Sequence, residues 1–199
     1  MKYALLGDLH SHIKDTKAVL HHIRTIAPDA QLLCLGDLYE CKIGKKKART
    51  LSNAPLSDAA IISDEFEDLL SFPSIKGNQE ERITKVTGIE RFAALPERIQ
   101  IEEATLIHGH QIQWDDHWEP VDTPSLGIET PLLFFGHSHR SGLYVNSKKV
   151  NITIQFGKEI PLFKKKYWIN VGSVVVHGEW CLYDSENFSI TFMKASKQP

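Results

Sequence analysis

Four short polar strings, each opened by a glycine and each set behind a strand-like run, constrain this chain more than any other feature. They are Gly7-Asp8-Leu9-His10 after Leu5-Leu6, Gly36-Asp37 after Leu32-Leu33-Cys34-Leu35, Gly77-Asn78 after residues 74–76, and Gly136-His137-Ser138-His139 after Leu132-Leu133-Phe134-Phe135. A fifth string, His108-Gly109-His110, follows Leu106-Ile107. Short apolar runs closed by glycine read as buried strands. The polar residues that follow then lie at strand carboxyl ends, where open α/β sheets place their sites.

The residue types in these strings point to a chemistry. Carboxylate, amide carbonyl and imidazole donors suit manganese, iron, zinc or nickel, and a carboxylate with two oxygens can bridge two ions. Residues two apart in an extended chain share a side, so Asp8 with His10, and His137 with His139, can each turn toward one ion. A single Asp-x-His is an ordinary solvated turn. The joint pattern reads as a dinuclear metal site.

Around these strings the chain alternates strand and helix. After the first strand, Lys2–Leu6, the apolar residues Val19, Leu20, Ile23, Ile26 and Ala27 recur at helical spacing from about residue 14 to Pro28, with Asp15 serving the N-terminus. Residues 31–35 form the second buried strand. Ala59, Ile62, Phe66, Leu69 and Leu70 predict a second amphipathic helix ending before Pro73, and residues 74–76 a short strand. Helical pieces up to about residue 95 precede a hairpin over 99–107 that turns at Glu102-Glu103. Residues 132–135 predict a central strand; Val150, Ile152, Ile154 and Phe156 an alternating one; 167–171 another; and Phe188, Ile190 and Phe192 the last. The long stretch between His139 and Asn170 predicts an extra hairpin. No repeat or linker divides the chain, so an α/β sandwich in one domain, residues 1–199, is expected.

Composition narrows the function classes. With 199 residues, 42% of them hydrophobic and 24% charged, the chain has ordinary globular usage, neither disordered nor membrane-embedded. A net charge of −2 carries no footprint of nucleic acid or membrane surface, so an anionic substrate must be attracted locally. Cys34, Cys41 and Cys181 have no metal-motif spacing and suit a reducing compartment. The first strand starts at the N-terminus, so no signal peptide and a cytoplasmic location are expected.

The order Asp-x-His, Gly-Asp, Gly-Asn, His, Gly-His-x-His resembles the calcineurin-like metallophosphoesterase superfamily over residues 8–173. Asn170-Val171-Gly172-Ser173 is similar to the Asn-x-Gly-Ser segment of its small bacterial and archaeal phosphodiesterase branch. The resemblance implies a sandwich of two mixed β-sheets flanked by helices. It implies a first divalent ion on Asp8, His10, Asp37 and His139, and a second on Asp37, Asn78, His108 and His137, with Asp37 as the bridge. Manganese is the expected metal, with iron, zinc or nickel as alternatives. Two-metal hydrolysis follows, in which ions about 3.5–4 Å apart turn a bridging water into the hydroxide that attacks phosphorus in line. Ser11, Ser138, Ser173 and the cysteines are then not nucleophiles. Asn170 and Ser173 support the ligands from behind, Glu80 orients its neighbours, and Arg140 is placed to touch a bound phosphate. Residue spacing leaves His110 open as a substitute for His108; the resemblance selects His108.

The chain departs from the family's common pattern at one position. Where many members read Gly-Asn-His, it reads Gly77-Asn78-Gln79-Glu80. Gln79, which joins Asp37 and Asn78 in the expected catalytic set, can hydrogen-bond a phosphoryl oxygen but cannot donate a proton as a general acid. Esters with good leaving groups are then favoured. The expected activity is phosphodiester hydrolysis of a small phosphorylated substrate. The alternatives are a phosphomonoesterase or nucleotide phosphatase, and a non-catalytic metal-bound interaction scaffold, against which the full set of ligand residues weighs. A homo-oligomer is left open. Two further segments carry paired readings. Trp114-Asp115-Asp116-His117-Trp118 is a lid that stacks on an aromatic group or a loop held by its tryptophans. Lys42, Lys45, Lys46, Lys47 and Arg49 steer a phosphorylated ligand or form a solvated loop.

Overall fold

The first strand explains the layering. In the computed structural model, which describes residues 1–121, 123–145, 147–163 and 165–196, Tyr3 and Leu5 turn to one side of this strand and Ala4 and Leu6 to the other, and all four are buried. A strand buried on both faces lies between two layers.

In chain order the first half contains β1 (Lys2–Leu6), α1 (Ile13–Ile26), β2 (Gln31–Cys34), β3 (Glu40–Cys41), α2 (Leu56–Ala59), β4 (Ala60–Ile61), α3 (Asp64–Glu67), α4 (Asn78–Thr87) and α5 (Glu90–Ala93). The second half contains β5 (Arg98–Ile101), β6 (Ala104–Ile107), β7 (Gln113–Trp114), β8 (Pro120–Val121), β9 (Leu132–Phe135) and β10 (Gly142–Val145). It closes with β11 (Lys148–Lys149), β12 (Glu159–Pro161), β13 (Tyr167–Asn170), β14 (Glu179–Asp184) and β15 (Ser189–Lys194). One sheet runs β12-β15-β14-β1-β2 and the other β11-β10-β13-β9-β6-β5. Both are mixed. β1 is parallel to β2 but antiparallel to β14, and β9 is parallel to β6 and β13 while β10 runs against β13.

Between the sheets Leu5, Leu33 and Leu35 meet Leu106, Phe134 and Ile169. The outer face of the first sheet receives α1 and α4, with Leu6, Val19, Ile23, Ile83 and Val86 in one cluster. The outer face of the second, Ile107, Phe135 and Trp168, is covered by Ile112 and Trp114. This is the sandwich of two mixed sheets with flanking helices that the sequence predicts. The helix α1 ends where expected because Ala27, at φ −139°, precedes Pro28, whose ring disfavours a helical conformation there. The hairpin predicted between His139 and Asn170 is formed by β10 and β11. Among the described residues no helix is long and apolar enough to cross a membrane.

Three expected elements are corrected. The short strand expected over residues 74–76 is reduced to an isolated parallel bridge between Ser74 and Cys34. The predicted helix through Ala59 and Leu70 is broken into the single turns α2 and α3, because the backbone between them is claimed by tertiary partners. Ala60 and Ile61 pair with Cys41 and Glu40, Lys42 N–H donates to Ala59 O at 2.8 Å, and the Ser11 hydroxyl donates to Ile61 O at 2.6 Å. The predicted strand through Val150 and Phe156 has no ladder over residues 150–155. That segment leaves β11, at the edge of one sheet, and arrives as β12 at the edge of the other, so it runs along neither. Only Val150 and Ile154 pack on the core; Ile152 and Phe156 are exposed.

The turns after β1, β2, β6 and β9 are hydrogen-bonded to one another. Asp8 N–H donates to Gly36 O at 3.0 Å, His10 N–H to Asp37 O at 3.0 Å and Gly136 N–H to His108 O at 2.8 Å. His137 N–H crosses from the second sheet to Asp8 Oδ2 at 3.1 Å. This lattice fixes the site.

Candidate metal centre

Five of the seven expected ligands hold a backbone conformation that side chains rarely adopt: Asp8, His10, Asp37, His137 and His139 have φ of 55°, 47°, 51°, 70° and 59°. Each such residue costs of order 1–3 kcal/mol and persists where its surroundings over-determine it. Glycines make the close approach possible. A Cβ on Gly77 would lie 2.2 Å from Asp37 Oδ1, and one on Gly136 2.7 Å from Asp8 Oδ2.

The side chains gather in two groups whose ligand atoms lie within 4.8 Å of one another: Asp8, His10 and His139, and Asp37, His108 and His137. His139 Nε2 is 3.3 Å from Asp8 Oδ1. Asp37 Oδ2 stands between the groups, 3.7 Å from His10 Nε2 and 3.4 Å from His108 Nε2, while its Oδ1 accepts Gln79 N–H at 2.8 Å. Asn78, the first residue of α4, brings its Oδ1 to 3.2 Å from His108 Nε2, and His137 Nδ1 lies 3.2 Å from the same nitrogen.

Hydrogen bonds fix which nitrogens face inward. His108 Nδ1–H donates to the Leu35 carbonyl at 2.7 Å, and His10 Nδ1–H to Glu40 Oε2 at 2.5 Å. Both rings therefore turn Nε2 to the centre, the arrangement of an imidazole held from behind for a metal. Asp8 Oδ1 and His10 Nε2 are buried with no hydrogen-bond partner. Unpaired buried acceptors are costly, and a divalent cation satisfies both at once. The donor set thus fits divalent metal ions.

Electrostatics agree. Burial works against a charge on His108, but Asp37 and Asp8 raise it to about 10. Burial likewise works against the Asp37 carboxylate, yet His108 and His10 hold it well below the usual range. His137 is pushed down to about 4 by burial and by the charge on His108. The carboxylate charge that favours a proton on His108 favours a cation equally well.

Glu80 is fully buried and accepts three backbone amides, Asp37 N at 3.0 Å, Tyr39 N at 3.0 Å and Gly77 N at 2.8 Å. It ties the Asp37 turn to the start of α4. Burial and the Asp37 charge push it up to about 7, against the amides of Tyr39 and Gly77. Asn170 donates to Gly136 O at 3.2 Å and to Ser138 Oγ at 2.8 Å, bracing the last string. Ser173 donates to Val175 O at 2.8 Å and touches none of the gathered side chains by hydrogen bond.

Three expected residues stand further off. Gln79 is buried and its Oε1 accepts Cys41 N–H at 3.1 Å, so the amide oxygen serves β3. His110 Nε2 pairs with Glu81 at 3.0 Å, beside His108 at a ring separation of 5.4 Å. Arg140 is exposed and donates to His117 O at 3.4 Å. Sequence reasoning missed Glu40 and the Leu35 carbonyl. An acidic residue three places after Asp37 was the available signal for the first; a backbone carbonyl leaves none. Trp114 is anchored, its Nε1–H donating to Gly109 O at 3.0 Å, whereas Trp118 is 48% exposed and 6.0 Å from the His137 ring. One tryptophan holds the loop and the other offers a free face.

Comparison with known proteins gives consistent findings. Residues 1–187 match the model of the calcineurin-like phosphoesterase superfamily domain. An uncharacterized protein of Methanocaldococcus jannaschii is 25% identical over 212 aligned residues, covering 96% of this chain and 86% of that protein. A metallophosphoesterase from Sphaerobacter thermophilus superposes with a TM-score of 0.66 at 16% identity, covering 100% of this chain and 90% of the other, a likeness of fold.

Proposed function

The chain belongs to the calcineurin-like phosphoesterase superfamily, and from that premise we propose that it is a dinuclear metal-dependent phosphodiesterase acting on a small phosphorylated substrate. The observation that carries the proposal is the pair of facing triads with Asp37 Oδ2 between them and Asp8 Oδ1 and His10 Nε2 unpartnered. Asp8, His10 and His139 would hold one ion and Asn78, His108 and His137 the other, with Asp37 shared. Bound divalent ions supply acidity to an attacking water and positive charge to the phosphoryl oxygens, and manganese is the ion we expect.

The chain's own residues do the rest. Glu40 and the Leu35 carbonyl hold two imidazoles in the ligating tautomer, and Glu80 holds Asp37 against α4. Trp118 presents a ring face beside His137 on which an aromatic ester group can stack. No imidazole stands at position 79 to protonate the departing oxygen. That favours diesters with stable leaving groups over alkyl monoesters.

The test compares bis-p-nitrophenyl phosphate with p-nitrophenyl phosphate, using chelator-stripped protein with and without manganese. Manganese-dependent preference for the diester is expected, with Asp37→Ala losing bound metal and activity together. Preference for the monoester would overturn the diesterase reading, and full activity in Asp37→Ala would overturn the site.

A further inference from the structure

A second polar feature adjoins the candidate metal centre and shares only Asn78 with it. A cleft of about 270 Å³ opens beside Asn78, between α4 and the turn of 3-10 helix at Lys47–Arg49. Its walls carry Lys45 and Arg49 on one side and Arg82 and Lys85 on the other, over the buried Ala48. Asn78, Arg82 and Lys85 follow helical spacing, so they form one row leading away from the centre. Among the described residues none of these four cations makes an ion pair. Glu81, the one carboxylate in the cleft, is engaged by His110 at 3.0 Å. Three of the four cations are exposed, and an anion placed between them would be attracted by all four.

From this juxtaposition we infer that the cleft binds the leaving group of the substrate, and that this leaving group is itself phosphate-rich, making the substrate a small phosphoanhydride of the nucleoside polyphosphate kind. The inference deepens the hydrolase reading and rests on it for the reacting phosphorus. Asn78 belongs to both spaces: its Oδ1 lies 3.2 Å from His108 Nε2, and it lines the cleft. A phosphoryl group at the metal centre therefore has its next phosphate directed between the two basic rows.

The chemistry also accounts for Gln79. Hydrolysis consumes one water: its oxygen bonds to the reacting phosphorus, the anhydride P–O bond breaks, and the bond's electron pair leaves on a phosphate oxygen. That oxyanion needs no proton near neutral pH, and the proton from water goes to solvent. Arginine and lysine stabilise the charge that develops on it. A site that expels phosphate has no need of an acid at position 79, whereas one that expels an alkoxide does. The cleft has no aromatic lining on which bases of a nucleic-acid strand would stack. A compact polyanion fits it better than a polynucleotide.

Binding is measured first, on chelator-treated protein, by calorimetry with sodium tripolyphosphate and with orthophosphate at fixed salt. Tripolyphosphate is expected to bind more tightly, and the double variant Arg82→Ala with Lys85→Ala to weaken it about tenfold or more, the equivalent of 1.4 kcal/mol. Lys165→Ala with Lys166→Ala removes the same formal charge elsewhere and is expected to change it less than about twofold. Absence of tripolyphosphate binding, equal loss in both double variants, or tighter binding of a single-stranded oligonucleotide would overturn the inference. With metal-loaded enzyme, the ratio of kcat/KM for diadenosine triphosphate to that for bis-p-nitrophenyl phosphate should fall in the Arg82/Lys85 variant; an unchanged ratio sinks the cleft's role. If the wild type hydrolyses neither substrate, the hydrolase reading fails, while the calorimetry still decides the cleft.

Discussion

Glu40 shows how much of this site rests on a residue that never faces its centre. Its carboxylate holds His10 Nδ1–H at 2.5 Å and so directs Nε2 inward. Glu40→Ala should lower metal affinity by about 10–100-fold, the usual cost of losing such a partner, with little loss of fold stability. Metal titration beside a denaturant curve checks this, and unchanged affinity would remove Glu40 from the site. Gln79 permits a sharper experiment. Gln79→His supplies an acid, and should raise turnover of diesters with poor leaving groups more than of those with good ones. A series of aryl diesters of graded leaving-group pKa measures the slope, and an equal gain across the series would mean that protonation is not the limit. His10 and Asp37 were readable as candidate ligands because their types and glycine neighbours recur. Their left-handed backbone, at φ 47° and 51°, was not. Strain is set by the turns that cross beneath them, and no single string contains those.

Among the elements, α4 is the one whose start matters most. Gly77 admits Asp37 by having no side chain, and Glu80 then collects the amides of Asp37, Tyr39 and Gly77 on two oxygens. Glu80→Gln replaces one of those oxygens by an NH2 group facing a buried N–H, which costs roughly 1–3 kcal/mol. A lower urea midpoint together with reduced metal stoichiometry is expected; an unchanged midpoint would show that the amides find other partners. The legibility of elements followed burial. Leu132–Phe135 could be read as a central strand because it is apolar throughout, and the structure buries it on both faces between β6 and β13. Residues 59–70 looked helical by spacing alone, yet Ala60 and Ile61 were captured by β3, a partner distant in sequence that periodicity cannot register. β14 drew no expectation, since Trp180-Cys181-Leu182-Tyr183 lacks alternation; it is the strand that pairs with β1.

At the scale of the whole molecule, the candidate centre lies on the seam between the sheets. Asp8 and Asp37 follow strands of one sheet and His108 and His137 strands of the other. An ion held by both would bind the folded sandwich and not the unfolded chain. At a free concentration 100 times its dissociation constant, manganese should then add about 2.7 kcal/mol per site to stability. Differential scanning calorimetry of chelator-stripped protein with and without manganese should show the melting temperature rising, and Asp37→Ala should abolish most of the rise. An equal rise in that variant would place the stabilising ion elsewhere.

The pairing of β1 with β14 has a consequence for how such a protein is made. β1 delivers Asp8 and His10, yet it lies between β2 and a strand that begins only at Glu179. Every candidate ligand is translated before the strand that seats the first of them. A growing chain can display all seven groups without the frame that aims them. The ion uptake proposed for this centre therefore waits on residues 179–184, however early the ligand groups themselves appear.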